Sequence, residues 1–203
     1  PRMVELAGRL ADEAVAKGEV DLVQALSYPL PVVIIAEIIG VPVEDRERFK
    51  AWSDEAVKSL GQGLLDGGNV ERAANRQRII AEMRDYFVPL AEQRRREPRE
   101  DLLTGLVQAR HEGSQLSDDE MLQMVVLLLV AGNETTTTLI GNTVIELMAH
   151  PEAEQALRDD PALLPTAIDV VLRFSSPIQF DPRRVTRDVE VCGFQLGAGD
   201  WVL

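Results

Sequence analysis

The stretch Met124–Thr138, MVVLLLVAGNETTTT, limits the folds open to this chain more than any other. Seven apolar residues, Val125 to Ala131, run straight into Gly132, Asn133, Glu134 and four threonines. Ser117 followed three residues later by Glu120 is a capping-box start, and the pattern continues to His150-Pro151, where proline forces a new segment. One helix over that span is about 50 Å long at 1.5 Å per residue, enough to cross a whole domain. Its apolar first half requires burial on most sides. Its middle is the difficulty, because a buried helix does not tolerate a glycine, an acid and a threonine run without compensation. Gly132 lets a large ligand approach the backbone. Thr135 lies four residues after Ala131 and can return its hydroxyl to that carbonyl, bending the helix and opening it locally. Glu134 adds an acid whose surroundings would raise its pKa. Together these residues can form a short proton relay facing a buried cavity. The residues alone also allow a plainer reading, in which the threonines satisfy themselves on the backbone and Glu134 pairs with a basic residue.

The rest of the chain reads as a series of helices. Residues 3–17 place Val4, Leu6, Leu10, Ala14 and Val15 near one face, and Gly18 closes the segment. In PLPVVIIAEIIGVP, Pro31 suits a first turn, Gly40 and Pro42 supply the stop, and apolar residues on nearly all sides place the helix deep. Residues 44–60 form a third helix, followed by the glycine-rich loop Gly61–Asn69. Val70 to about Glu97 is longer and more charged, with Ile79, Ile80, Met83, Phe87 and Leu90 as its buried side and Arg94, Arg95 and Arg96 in water at its end. DLLTGLVQAR makes a short helix and HEGSQ a turn. PEAEQALRDD and LPTAIDVVLRF follow the long helix. Beyond Ser175-Ser176-Pro177 the chain becomes extended, with Val185, Val189 and Val191 in one strand and Trp201, Val202 and Leu203 in another. The fold class is mainly α with a small late β element, in one domain.

A chain of 203 residues with 45% hydrophobic and 27% charged residues can bury a sizeable core. Its net charge of −13 argues against nucleic acid or an anionic membrane as a partner. The single cysteine, Cys192, excludes an internal disulfide and fits a reducing, cytoplasmic compartment. The apolar run before Gly132 is too short to span a bilayer. His111 and His150 lack ligand spacing, so no metal site is expected from them. The chain starts at Pro1 and stops in strand-like GDWVL, so both ends read as cut.

Ala131–Thr136, AGNETT, resembles the signature of the long central helix in the cytochrome P450 family of haem-thiolate monooxygenases: Ala/Gly, Gly, any residue, Asp/Glu, Thr, Thr/Ser. The resemblance extends in order through SYPLPVVIIAEIIGVPVEDRERFKAWSDE, HPEAEQALRDDPALLPTAIDVVLR and PRRVTRDVEVCGFQLGAGDWVL, and is to the soluble bacterial members. It implies that residues 1–203 are the central portion of a single P450 domain. It also implies haem b as cofactor, O2 and a small organic substrate as reactants, and a ferredoxin or flavin-bearing protein as electron donor. By resemblance, Ala131 and Gly132 line the oxygen groove of a distorted helical turn, Thr135 helps hold oxygen and its waters, and Glu134 feeds protons towards it. Leu128 with Ala131 faces the haem, Leu127, Ile178 and Phe180 face the substrate, and the Gly61–Asn69 loop helps shape the pocket. Arg183, chosen over Arg184 by its spacing to Asp188, pairs with a haem propionate.

Two departures accompany the resemblance. Val170 stands where the family's Glu-x-x-Arg motif has its glutamate, leaving Arg173 to a possible helical pair with Asp169. VEVCGF lacks the loop pattern of the iron-ligating cysteine, so Cys192 reads as a turn or packing cysteine, and the thiolate ligand is expected downstream of Leu203. A non-catalytic relative, or a helical small-ligand binder that uses Glu134 as an anchor without haem, are the competing readings.

Overall fold

The structure, a computed structural model, describes residues 1–61, 70–111 and 114–203. The expected role of the Gly61–Asn69 loop therefore lies almost wholly outside the described residues. Eight helices carry most of the described chain: α1 (Arg2–Lys17), α2 (Pro29–Ile39), α3 (Arg46–Gly61), α4 (Val70–Arg96), α5 (Leu102–Gln108), α6 (Asp118–Ala149), α7 (Pro151–Asp159) and α8 (Leu164–Phe174). A π-helical turn, Val23–Ser27, leads into α2. The strands are short and antiparallel: β1 (Arg110–His111) with β2 (Ser114–Gln115), β3 (Arg183–Arg184) with β6 (Trp201–Val202), and β4 (Val189–Val191) with β5 (Phe194–Leu196).

The long helix forms as its sequence requires. The Ser117 hydroxyl accepts from the Glu120 amide and the Glu120 carboxylate accepts from the Ser117 amide, completing the capping box. From there α6 runs 32 residues without interruption. By length and composition it could cross a membrane. Here it is a core helix, packed against α2, α3, α4, α8 and the π turn.

The core is lopsided along α6. Met121, Leu122, Val125 and Leu129 are buried against Val32, Ala36 and Ile39 of α2, Phe49 and Trp52 of α3, Ile79, Met83, Phe87 and Ala91 of α4, and Leu103 and Val107 of α5. Phe49, Trp52, Tyr86 and Phe87 meet edge to face or tilted, with ring centroids 5.0–6.4 Å apart. Beyond Asn133, Val171 is the one buried side chain among the described residues. Ile145, Met148, Phe174, Phe194 and Trp201 are all exposed, which leaves the second half of α6, α8 and the strands with an extensive apolar surface.

Several sequence expectations are corrected. In α1 the buried side is Leu6, with Leu10 and Ala14 half-buried, whereas Val4 and Val15 face solvent, because α1 touches the body over a narrow stripe. Ile80 lies at the exposed edge of the α4 stripe. Val185 is not in the strand of Val189 and Val191; its amide donates to the Asp200 carbonyl at 2.9 Å, so it continues the β3–β6 pair.

The largest correction concerns Arg94. It is buried, 1% exposed, and its Nε donates to Asp101 Oδ2 at 2.6 Å while Nη2 donates to the Gly40 carbonyl at 3.0 Å. Asp101 also caps α5 through the Thr104 amide. Gly40 ends α2 at φ 93°, and any Cβ there would collide with the Asp101 carboxylate. One ion pair thus ties the ends of α2, α4 and α5 together. Burial pushes the Asp101 pKa up, but the bonds from Thr104 and Arg94 outweigh it and hold the carboxyl below its usual range.

Asp101→Ala, which leaves Arg94 buried without its counter-charge, should lower stability by about 3–5 kcal/mol in urea unfolding. Because the folded pKa of Asp101 is depressed, its contribution is complete above about pH 4, the unfolded value, and is lost as pH falls through the folded value. Asp101→Asn should flatten that acid limb. At the β4–β5 hairpin, Cys192 and Gly193 have φ 51° and 83°, a two-residue loop that favours Asn-Gly. Cys192→Asn should therefore stabilise the protein by about 1 kcal/mol, read as a raised urea midpoint.

Candidate functional site

The polar turn of α6 has two faces with different work. At 100° per residue, Leu127, Ala131, Glu134 and Thr138 follow one line along the helix, with Leu128 and Thr135 on its flank. Leu127, Ala131 and Glu134 are exposed, Leu127 to 57%, and Leu128 and Thr135 are half-buried. The opposite side carries Gly132, Asn133 and Thr137. Asn133 is 1% exposed and its Nδ2 donates to Ser53 Oγ of α3 at 2.6 Å. The Thr137 hydroxyl lies 3.2 Å from both Asn133 Oδ1 and the carbonyl of Ser27 in the π turn.

This division alters the reading of Gly132. A Cβ at that position would stand 2.8 Å from Ile35 Cδ1 of α2, so the missing side chain makes room for a neighbouring helix. On that side Gly132 is a contact between helices. The expected local opening of the helix is not seen. Thr135 Oγ1 does donate to the Ala131 carbonyl at 2.7 Å, as the four-residue spacing predicts, yet α6 stays α-helical throughout. Thr143 makes the same bond to Leu139, so back-bonding is a general device of this helix and does not by itself break it. Glu134 points to the uncovered face, where the described residues do not enclose it.

The other candidates lie past α8. Ile178 and Phe180 are both exposed, in the extended run that leads to β3. Arg183 is strand-borne as expected, paired in register with Val202. Its Nη1 contacts Asp181 Oδ1 at 2.5 Å, which raises the guanidinium pKa and lowers that of Asp181. The carboxylate beside Arg183 is thus its own neighbour, exposed and not buried.

A cleft of about 690 Å³ opens elsewhere, between the C-terminal end of α6, α7 and α8. Leu147, Ala153, Leu157, Val170 and Phe174 line it, with Glu146 at its rim. None of the candidate residues borders it. Its floor is fixed by Asn142 donating to the Ser175 carbonyl at 2.6 Å and by a Ser175–Glu146 hydrogen bond.

The arrangement has clear relatives. Residues 5–203 match the family model described as Cytochrome P450. The chain belongs to the cytochrome P450 family. It is 41% identical over 178 residues to Cytochrome P450 107B1 of Saccharopolyspora erythraea, covering 88% of this chain and 41% of that protein. It is 37% identical over 205 residues to Vitamin D(3) 25-hydroxylase of Pseudonocardia autotrophica, covering 100% of this chain and 48% of the other. The crystal structure of CYP109E1 from Bacillus megaterium in complex with testosterone superimposes with TM-score 0.86 at 38% identity, over 99% of this chain and 53% of that one. The chain spans about half the length of the curated relatives it matches. The fold is therefore a partial P450 fold, mainly α and arranged round its long central helix.

Within a P450 frame the two sequence departures take physical form. Arg173 is exposed and stacks over the Phe174 ring at 4.4 Å, and it forms no ion pair with Asp169. Cys192 is exposed at the tip of the β4–β5 hairpin, as a turn cysteine should be. Among the described residues no group of three or more His, Cys, Asp or Glu side chains could hold a metal ion.

What sequence reasoning missed is the inward face. Asn133 and Thr137 have the i, i+4 spacing of a helical pair, but Ser27 and Ser53 carry no pattern that marks them as buried partners.

Gly132→Ala should cost stability through the Ile35 contact, although alanine favours a helix by about 1 kcal/mol. Ile35→Val removes the clashing Cδ1. In that background Gly132→Ala should become stabilising, a reversal of sign that a four-variant thermal melt would show.

Proposed function

We propose that the full-length protein is a haem-dependent monooxygenase that inserts one oxygen atom of O2 into a small organic substrate, and that residues 1–203 are the central half of its single P450 domain. The observation that carries this reading is the outward line of α6. A core helix that buries its other side leaves Leu127, Ala131 and Glu134 uncovered together, with the half-buried Leu128, Thr135 and Thr138 beside them. Leucine and alanine suit the face of a planar apolar macrocycle, and the small Ala131 allows it to come close. Arg183 carries its fixed charge on a strand and suits a carboxylate such as a haem propionate. The residues present therefore fit a haem.

Bound haem supplies the activation of O2 at an iron held by a cysteine thiolate, which we place downstream of Leu203. The protein's own part is to position groups and move protons. Ala131 lines the oxygen groove and its carbonyl fixes the Thr135 hydroxyl, whose oxygen remains free to accept from water or oxygen-bound hydrogen. Glu134, one residue earlier and outward, exchanges protons with solvent and passes them towards Thr135. Leu127, Ile178 and Phe180 form apolar contacts for substrate, all three exposed here and available for one. Electrons come from a ferredoxin or flavin-bearing donor, and the compartment is the cytoplasm.

The carbon-monoxide difference spectrum of the reduced full-length protein tests the reading. A thiolate-type haem band is expected; its absence would favour a non-catalytic relative. In a protein that shows the band, Thr135→Ala and Glu134→Gln should each reduce product formation by roughly 10²-fold, as loss of a positioned proton donor does. Thr135→Ser should retain most of it.

A further inference from the structure

Asn133 sits between the two functions of α6. It neighbours Glu134 in sequence and precedes Thr135 by two residues, yet its side chain points the other way, into the contact with α3. Both polar ends of the amide are used: Nδ2 donates to Ser53 Oγ at 2.6 Å, and Oδ1 lies 3.2 Å from the Thr137 hydroxyl. Ser53 is itself fully buried. The next residue of α3, Asp54, accepts from the Tyr28 hydroxyl, and Tyr28 follows the π turn whose Ser27 carbonyl lies within reach of Thr137. A closed polar loop thus joins α6, α3 and the π turn on the side away from the proposed groove.

Its effect on α6 is rotational. Apolar packing along the first half of the helix tolerates a small rotation, since leucine and valine contacts have no direction. A buried amide–hydroxyl bond does have direction, and losing it leaves unpaired polar atoms in the core. Successive residues are 100° apart, so whatever fixes the Asn133 side chain also fixes the bearing of Glu134 and Thr135. We infer that Asn133 is a positioning residue for the proposed reaction: through Ser53 it sets the rotation of the Glu134–Thr135 turn and ties that turn to the position of α3. The inference rests on the monooxygenase reading for its consequence, and on the hydrogen bonds alone for its mechanics.

The test uses the full-length protein as wild type, Asn133→Leu, Ser53→Ala, the double variant, and Ser53→Thr, which keeps the hydroxyl. Hydrogen exchange is measured at the amides of residues 134–138 and, as an internal reference, 145–149. Exchange in the first group should accelerate roughly tenfold in either single variant and no further in the double, with the second group unchanged and Ser53→Thr close to wild type. With testosterone as the probe substrate, kcat should fall at least tenfold in the same two variants while KM moves less than about twofold, because misaligned groups slow chemistry more than binding. Unchanged exchange at 134–138, or losses that multiply in the double variant, would overturn the inference. A wild-type protein without the thiolate band, or one that does not turn over testosterone, counts against the proposed activity or that substrate, and the exchange comparison then decides this inference by itself.

Discussion

Burial of one side of α6 over its first three turns is the constraint on which the other elements depend. Met121, Leu122, Val125 and Leu129 belong to the same buried cluster as the apolar residues of α2, α3, α4 and α5, helices that also pack on one another. The four aromatic rings of α3 and α4 pack against one another in the same core. Hydrophobic burial of this kind specifies which side of a helix faces inward and leaves its exact rotation loose. Direction comes from the few buried polar contacts: Arg94 with Asp101 at one end of the core and Asn133 with Ser53 at the other. Arg94 also reaches the Gly40 carbonyl, 54 residues away, and Asn133 lies 80 residues from Ser53; each pair would cost more to break by halves than it contributes as a pair.

The architecture was largely legible in the sequence, because it depends on signals that act over short distances. The capping box at Ser117, the proline after His150, and the glycines that end α1 and α2 set their boundaries through local backbone chemistry. What could not be read was which partner each residue would meet. Arg94 sits in a run of three arginines at a helix end, where a solvated position is the natural expectation. Only the approach of Gly40 and Asp101, 54 and 7 residues away, makes it a core residue. Val4 and Val15 follow helical periodicity equally well, yet periodicity does not say how wide a stripe the neighbours will cover.

The candidate site shows the same limit at closer range. Within AGNETT, the spacing of Thr135 to Ala131 fixed a hydrogen bond correctly, since both partners lie in one helical turn. The neighbour of Gly132 was not legible, because a missing side chain has the same sequence signature whether a ligand or a helix fills the space. Ile35 fills it. The motif is therefore two overlapping devices. Ala131 and Glu134 face outward while Gly132 and Asn133 meet neighbouring helices, and a substitution in either set is felt by the other through the shared backbone.

That overlap bears on why a polar insert persists in so apolar a helix. If the outward residues alone required it, Asn133 could be leucine and the core would pack to α3 without a polar atom. Such a helix would be buried at least as well, because apolar replacements of buried polar pairs are often neutral or stabilising. It would also keep only the Thr137–Ser27 bond as a directional contact near Thr135, and a hydroxyl held to its own helix follows every small rotation of that helix. Oriented proton transfer needs heavy atoms held within hydrogen-bond distance of each other. A buried amide on the reverse side supplies that constraint without occupying any part of the groove. The asparagine between glycine and glutamate is the buried directional contact on the reverse of the turn that carries the acid and the threonine.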